Sequence, residues 1–560
     1  MQIPRIIGGI KSMKRNLFSL VLSLLVAGAA QAGSQRVLVI MKDKEAFKTA
    51  NATYKQRGAY ALKGFKLGGN NSAALSNVDG SVEDSLENLN TLVISASSDS
   101  EVARLKADPA VAYVEQEYFH EAPAPTKGWL SVQARSPRFK QSAGTPWGIT
   151  AVKAPAAWTL SKKGQGARVM ILDTGVDQDH PSLKANFEKG QDFVGDNISP
   201  YPYADQVGHG THVAGTIAGV IDASGFTGVA PKAKFLMGRV CSENGCSNIS
   251  IAQGINWGIA EKVDVISMSL GGSWSTPAER DAVSRADKAG VTVVAASGNS
   301  GTPKVSFPAA LPTVIAVGAV DSTLKKADFS QWGPELAIVA PGVAVVSSVP
   351  QGSGRDSAVT ITENNRSAKV VSSTFQGAKE LLNPETNVLV NAGLGKPEEF
   401  AKIDVKGKYA LIARGEIKFS EKVENAIKAG AAGAVIYNNA PGLIHGALTD
   451  GTTTLPIGVF MIEQTAGNEI VGLLAAGKEV KATLQTIATD YSAFDGTSMA
   501  TPHVAGVVAL MKAANKALLP AQVKQILQST AQPLGPNSNN EYGAGMVNAE
   551  AAVNGAKAAQ

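Results

Sequence analysis

Cysteine is almost missing from this 560-residue chain; Cys241 and Cys246 are the two it has. So few thiols exclude a disulfide framework as the basis of the fold. No second Cys or His pair stands where a zinc site would need one. Aromatic residues are sparse too, at 6%, whereas glycine, with 57 residues, and alanine are plentiful. That balance suits an α/β protein whose helices pack closely. No strong excess of one charge is present. The net charge is +5, and Arg5, Lys11, Lys14 and Arg15 share one N-terminal stretch. Without those four about +1 remains, so charge gives nucleic-acid binding no support. Internal repeats are not apparent. Past the N-terminus no apolar run reaches membrane-spanning length without a charge or a turn breaker. What remains is a chain too long for a single core, with room for about three or four domains.

Residues 1–32 read as an export signal. Lys14 and Arg15 precede an apolar run from Leu17 to Ala30, and Ala30-Gln31-Ala32 ends it as a small-x-small cleavage pattern. The run is short for a transmembrane helix. Translation could start at Met1 or at Met13, because Met13-Lys14-Arg15 is already a basic head. The expectation is a secreted protein, free of the membrane once the signal is removed.

Three stretches carry chemistry. Gly496-Thr497-Ser498-Met499-Ala500-Thr501-Pro502-His503 runs from a loop into a helix, where Val504, Val507, Val508 and Met511 recur at helical spacing. Pro502 is expected in the first turn, where a missing N–H costs nothing. Ser498 then lies at the helix N-terminus, where free N–H groups and the dipole would stabilise an oxyanion. Serine is also the ordinary N-cap, so a nucleophile needs a base and an orienting acid from elsewhere. Val169-Met170-Ile171-Leu172-Asp173 is an apolar strand delivering a carboxylate at its C-terminal edge. Gly208-His209-Gly210-Thr211-His212 opens a second small-residue helix. The order Asp173, His209, Ser498 is that of subtilisin. With these motifs the chain closely resembles the subtilisin-like serine proteases, the subtilases, across roughly 145–350 and 490–555.

The resemblance implies an α/β fold, a subtilisin-like parallel sheet with helices on both faces. The order of elements agrees. Apolar strands at Val169–Leu172, Lys234–Val240, Val263–Leu270, Val291–Ala296 and Val314–Ala319 are interspersed with helices at Ile249–Ala260 and Ala278–Ala289. By the same resemblance Ser498 is the nucleophile, His209 the general base, and Asp173 the group that orients the imidazole and stabilises its cation. Asn299 matches the oxyanion donor, although an Asn after Gly, read alone, is a turn residue. Ser269-Leu270-Gly271 would pair with the substrate backbone, flanked on the other side by Asn244–Ser247. Ala295, Ala296 and Gly298 would wall an open pocket for apolar or aromatic side chains, its floor narrowed by Ser306. Met499 is expected as an exposed oxidation target. His180, His212 and His503 read as structural. No cofactor is implied for catalysis.

Residues 33–120 read as a small α+β domain, with strands at Arg36–Ile40, Leu92–Ser95 and Val111–Glu115. A helix at Ser100–Ala107 is stopped by Asp108-Pro109. Its end, VARLKADPAVAYVEQE, resembles the subtilase inhibitor propeptide, which assists folding and lays its tail in the cleft. Residues 121–144 form a Pro-rich linker, with the maturation cut expected between His120 and Ala143. The catalytic domain takes 145–350 and 491–560. Between them, 351–490 interrupts the pattern. Its GKYALIARGEIKFSEKVENAIKAGAAGAVIYNN resembles a protease-associated (PA) domain, which would either gate the cleft or sit as a passive insertion. Expected partners are protein and peptide substrates and the chain's own propeptide, the protein being a monomer.

Two features stay open. Cys241 and Cys246 have four residues between them; export permits a disulfide, and free thiols or a metal pair are the alternatives. Structural calcium is common in subtilases. The loop Val220–Phe226 matches a calcium loop in length, with Asp222 as a donor, but Ser182 stands where many relatives carry a carboxylate. A non-cutting peptide binder is the main rival function, but no catalytic position is missing. An esterase of the α/β-hydrolase class would need a Gly-x-Ser-x-Gly elbow, which Ser498 lacks.

Overall fold

The computed structural model describes residues 35–61, 81–121, 145–221, 225–440, 443, 448–449, 453–538 and 540–559. The export segment 1–32, all but the first residue of the 121–144 linker, and Asp222 lie outside the described residues.

A seven-stranded parallel sheet forms the centre. Its order across the sheet is Leu336–Pro341, Ile315–Val320, Thr292–Ala296, Val265–Met268, Arg168–Asp173, Lys234–Arg239 and Phe187–Asp192. The middle strands are apolar on both faces because helices cover both. Val169, Met170, Ile171 and Leu172 are all fully buried. The chain reverses direction across the sheet beside Arg168–Asp173, the kind of switch point where ligands bind in open α/β sheets. The Thr497–Ala514 helix is buried from Thr497 to Lys512. Apart from Thr497, Ser498, Thr501, His503 and Lys512 that buried stretch is apolar or glycine, and the small residues Ala500, Ala505, Gly506 and Ala509 let its neighbours approach. A Cβ at Gly506 would lie 2.5 Å from that of Val229.

Four strands of the N-terminal region make an antiparallel sheet, ordered Ser81–Leu86, Thr91–Ala96, Gln35–Met41, Val111–Gln116. Its period-two alternation assigns each face a different partner. Val37, Val39 and Met41 pack with Phe47, Val102 and Leu105 from the domain's own helices. Leu38, Ile40 and Val93 join the core of the large domain. The helix runs Asp99–Ala107, one residue longer than the sequence suggests, because Ser98 is the cap; its side chain accepts from the Glu101 N–H.

The inserted region enters and leaves through neighbouring strands. Val345–Ser348 pairs antiparallel with Tyr491–Phe494, from Val345 opposite Phe494 to Ser348 opposite Tyr491. Beyond that ladder lies an eight-stranded mixed sheet. Four of its strands, Glu385–Asn391, Tyr409–Ala413, Gly433–Tyr437 and Gly458–Ile462, run parallel. Ala410 and Ile412 face one core with the Phe419–Lys428 helix, while Tyr409 and Leu411 face another with Ile470. Among the described residues no helix is long and apolar enough to cross a membrane.

Candidate active site

Asp173 ends its strand fully buried. Its Oδ1 accepts from the Thr174 N–H at 2.8 Å and pairs with His209 Nδ1 at 2.7 Å. His209 begins the His209–Ala218 helix and is 1% exposed. The two elements can touch because glycines, Gly175 and Gly210, stand where their backbones meet. A Cβ at Gly210 would sit 2.1 Å from the Gly175 carbonyl oxygen, and Gly175 itself holds φ +115°. With Nδ1 turned to the carboxylate, Nε2 is the free nitrogen of the ring. It is buried and has no hydrogen-bond partner.

A second carboxylate holds this turn, and no motif in the sequence marks it. Asp205 accepts from the N–H groups of Gly208 (2.7 Å) and Thr211 (2.8 Å) and from Thr211 Oγ1 (2.6 Å). Thr174 Oγ1 donates to Asp205 at 2.9 Å and accepts from the Gly210 N–H at 2.9 Å. Burial pushes the Asp205 carboxyl above its ordinary range, against the pull of the Thr211 and Gly208 hydrogen bonds. The available clue was an acid three residues before a Gly-His-Gly turn.

Ser498 is the second residue of the Thr497–Ala514 helix and is 8% exposed. The expectation for Pro502 needs correcting: it is the sixth residue, past the first turn. A proline there leaves the carbonyl four residues earlier, that of Ser498, without its helical donor. Ser269 Oγ supplies one at 2.8 Å. Ser498 Oγ in turn donates to the Ser269 carbonyl at 3.0 Å. The expectation for Met499 is also corrected. Its side chain packs in the core and is fully buried, because the helix is enclosed on every side at this point.

Asn299 lies across the start of the same helix. Its Oδ1 accepts from the N–H and the Oγ1 of Thr497, both at 2.9 Å. With the oxygen so occupied, Nδ2 is the group left for the Ser498 side. A carboxylate, an imidazole, a hydroxyl at a helix N-terminus and an amide therefore converge at the carboxyl ends of the sheet strands.

The Subtilase family model matches residues 164–377 and 464–545, and a PA domain model matches residues 366–470 between them. The chain belongs to the subtilase family. Subtilisin E of Bacillus subtilis is 40% identical over 257 residues, which cover 45% of this chain and 61% of that protein. The chain thus spans about three fifths of the length of the first curated relatives it matches. The minor extracellular protease Vpr of Bacillus subtilis is 32% identical over 468 residues, covering 74% of this chain and 53% of its own. Among solved structures, the psychrophilic subtilisin-like protease Apa1 of the Antarctic Pseudoalteromonas sp. AS-11 shares 30% identity with a TM-score of 0.56. It covers 73% of this chain and 97% of its own.

In this subtilase, Ser269-Leu270-Gly271 continues directly from the Val265–Met268 strand. Opposite it lies a small sheet. Cys241–Ser242 pairs with Gly245–Ser247, and Gly245–Ser247 pairs with Phe119–His120. Cys241 and Cys246 form a disulfide with Cα atoms 4.0 Å apart. The tail of the N-terminal domain thus adds as an outer strand. Glu115 anchors it across two helix starts: Oε1 accepts from Asn248 Nδ2 at 2.8 Å and Oε2 from the Ala278 N–H at 3.0 Å. Asn248 and Ala278 are in the first turns of the Asn248–Ala260 and Pro277–Lys288 helices, where a carboxylate satisfies donors and complements both dipoles. Tyr118 and Asn248 exchange a further pair, Tyr118 N–H to Asn248 Oδ1 at 2.7 Å and Asn248 N–H to Tyr118 O at 2.9 Å. Ala295 and Ala296 end the Thr292–Ala296 strand buried, and Gly298 follows at φ +109°. A Cβ at Gly298 would meet Gln331 Oε1 and Ser306 Oγ. Gln331, like Asp205, went unnoticed in the sequence.

His180, His212 and His503 are structural supports. His212 Nε2 reaches the carbonyls of Val345 (2.9 Å) and Ser492 (3.2 Å), with its ring stacked on Phe494 at 4.4 Å. It thereby pins the ladder at the base of the insert. Burial lowers its pKa to about 3. His503 Nδ1 meets the Met499 carbonyl at 2.9 Å, and burial lowers its pKa to about 4. His180 Nε2 meets the Asp490 carbonyl at 3.0 Å. At the position that raised the calcium question, Ser182 Oγ bonds the Tyr491 hydroxyl at 2.6 Å. A hydroxyl pair does not fit a hard cation that seeks six to eight oxygens with carboxylates among them. Among the described residues no cluster of three or more His, Cys, Asp or Glu could hold a metal ion.

Proposed function

We propose that this subtilase is a secreted serine endopeptidase, made as a proenzyme, that hydrolyses peptide bonds through an acyl-enzyme. One observation carries the reading. Asp173 and His209 share a 2.7 Å contact that leaves His209 Nε2 buried and unpartnered. That is a base held ready for a proton.

Ser498 gives that proton. To do so its hydroxyl turns about χ1 from the Ser269 carbonyl toward Nε2 and attacks the scissile carbonyl. Asp173 holds the imidazole in the tautomer that has Nε2 bare and stabilises the imidazolium, without being protonated. The oxyanion is met by the Ser498 N–H, the helix dipole and Asn299 Nδ2. His209 returns the proton to the leaving amine, and water repeats the sequence to free the acid. No cofactor enters. Structural calcium remains an implication of the family; the hydroxyls at Ser182 offer it no support.

Ser269–Gly271 and Gly245–Ser247 bind the extended substrate. The Ala295–Gly298 wall with Ser306 favours apolar and aromatic residues before the cut. Residues 33–120 act as an intramolecular inhibitor whose tail precedes the substrates, and processing within 121–144 releases it. Residues 1–32 direct export. The 351–490 insert modulates access to the cleft, and the protein works as a monomer.

Wild type and Ser498→Ala, both produced as the full chain, test this by intact mass and by hydrolysis of an unfolded protein. Wild type is expected to lose its N-terminal part up to the linker and to cut. The variant is expected to keep residues 33–144 and stay inert. A folded, processed wild type that cuts no peptide would refute the reading.

A further inference from the structure

Glu279 is a buried carboxylate that the reaction does not use. It is 2% exposed and lies one turn into the Pro277–Lys288 helix. Its two oxygens have different duties. Oε2 belongs to the capping box, accepting from the Thr276 N–H at 2.8 Å and from Ser275 Oγ at 3.2 Å. Oε1 faces away from the cap and meets His120 Nε2 at 2.5 Å. His120 is 1% exposed, and among the described residues Glu279 is the one polar partner of its ring, Nδ1 having none. The imidazole lies flush on the backbone: a Cβ at Gly272 would be 2.3 Å from His120 Nδ1. Tyr118 packs edge-on against the ring at 5.3 Å, and Trp274 covers Tyr118 at 4.5 Å.

This pocket belongs to the substrate groove. His120 is held by backbone pairing to Cys246, on the strand opposite Ser269–Gly271. Gly272 is three residues beyond Ser269, whose carbonyl touches Ser498 Oγ. At about 3.3 Å per residue, that spacing corresponds to three residues of an extended substrate. When the 118–121 segment leaves, Oε1 is a bare acceptor in a mostly buried pocket. Such an acceptor costs free energy until a donor reaches it.

We propose that Glu279 makes this subsite select side chains that donate a hydrogen bond or carry positive charge, histidine and lysine above all. The selected position lies about three residues N-terminal to the residue whose carbonyl is attacked. The inference rests on the protease reading and adds a specificity determinant to it. His120 is then the chain's own first occupant of a site meant for donors. Sites that present a basic residue at that position, with an apolar residue at the cut, are the substrate class.

The test is a series of fluorogenic peptides, X-Ala-Ala-Phe with the reporter after Phe, where X is His, Lys, Leu or Glu. It uses enzyme matured from the full chain, as wild type and as Glu279→Gln. The glutamine carbonyl can still accept from the Thr276 N–H, so the cap survives while the group facing the pocket becomes a donor. In wild type, kcat/KM for His and Lys is expected to exceed that for Leu by about tenfold or more, with Glu lowest. In Glu279→Gln the His-to-Leu and Lys-to-Leu ratios are expected to fall to about two or less, and the Glu peptide to gain most. The ratios, not the absolute rates, are the readout. Should Glu279→Gln fail to mature, the wild-type ranking decides alone. Leu equal to or above His and Lys overturns the proposal while leaving the protease reading intact. No cleavage of any peptide, with Ser498 unlabelled by a fluorophosphonate, overturns both.

Discussion

Ser269 and Ser498 hold each other by reciprocal hydrogen bonds: the hydroxyl of each donates to the carbonyl of the other, at 2.8 Å and 3.0 Å. One bond repairs the helix that Pro502 interrupts, and the other parks the nucleophile. Ser269→Ala removes the repair and leaves the Ser498 carbonyl buried without a donor. Stability is expected to fall by about 1–3 kcal/mol. Urea unfolding in a Ser498→Ala background, where self-digestion cannot interfere, measures it.

Asn299 Oδ1 is held by the N–H and Oγ1 of Thr497, and on the proposed mechanism its amide nitrogen serves the oxyanion. Asn299→Ala is expected to lower kcat by about 10²–10³ with little change in KM, because the donor acts on charge that develops in the transition state. Steady-state kinetics on one good peptide checks this. A change confined to KM would contradict the assignment.

His503 sets a limit on acid tolerance. Above about pH 6.5 its imidazole is neutral in both folded and unfolded chains. Below that, the unfolded chain takes up a proton that the folded one refuses until about pH 4. The folded state therefore loses stability as pH falls through this window, by about 3 kcal/mol at pH 4. His212, lowered to about 3, acts in the same direction. His503→Gln is expected to be less stable at pH 7 and to lose less between pH 7 and pH 4. Unfolding free energies at the two pH values give the comparison.

The Cys241–Cys246 bridge closes a short loop beside the groove. On the loop-entropy model such a closure contributes about 2 kcal/mol. Cys241→Ala with Cys246→Ala is expected to lose about that much. It should also raise KM more than it lowers kcat, since on the proposed function the Gly245–Ser247 strand binds substrate and takes no part in bond breaking. Melting and peptide kinetics on the double variant provide the check.

The candidate site positions were readily legible in the sequence because each sits where a pattern changes. Asp173 ends an apolar run, and His209 and Ser498 open small-residue helices. The central strands were legible because burial on both faces leaves an unbroken apolar run. Pro502 was misplaced because periodicity finds a helix but not its first residue. Met499 was misread because proximity to a nucleophile says nothing about which side of the helix is buried. Asp205 and Gln331 were missed since a loop acid or amide looks solvated until the fold encloses it. In the insert, Gly354–Glu363 and Val480–Thr489 pair along their whole length. Their frequent Thr and Ser mask an alternation that Val359, Ile361, Val480, Ala482 and Leu484 do carry.

The ladder between Val345–Ser348 and Tyr491–Phe494 also imposes a schedule. A chain that is made or exported from its N-terminus delivers the inhibitor-like domain first. Asp173 and His209 come next, and the whole insert follows before Ser498 emerges. The serine helix cannot take its place until the insert has brought its two ends together at that ladder. If Ser498 is the nucleophile proposed above, the chain carries none for all of that interval, and the N-terminal domain proposed to fill the cleft has by then been delivered.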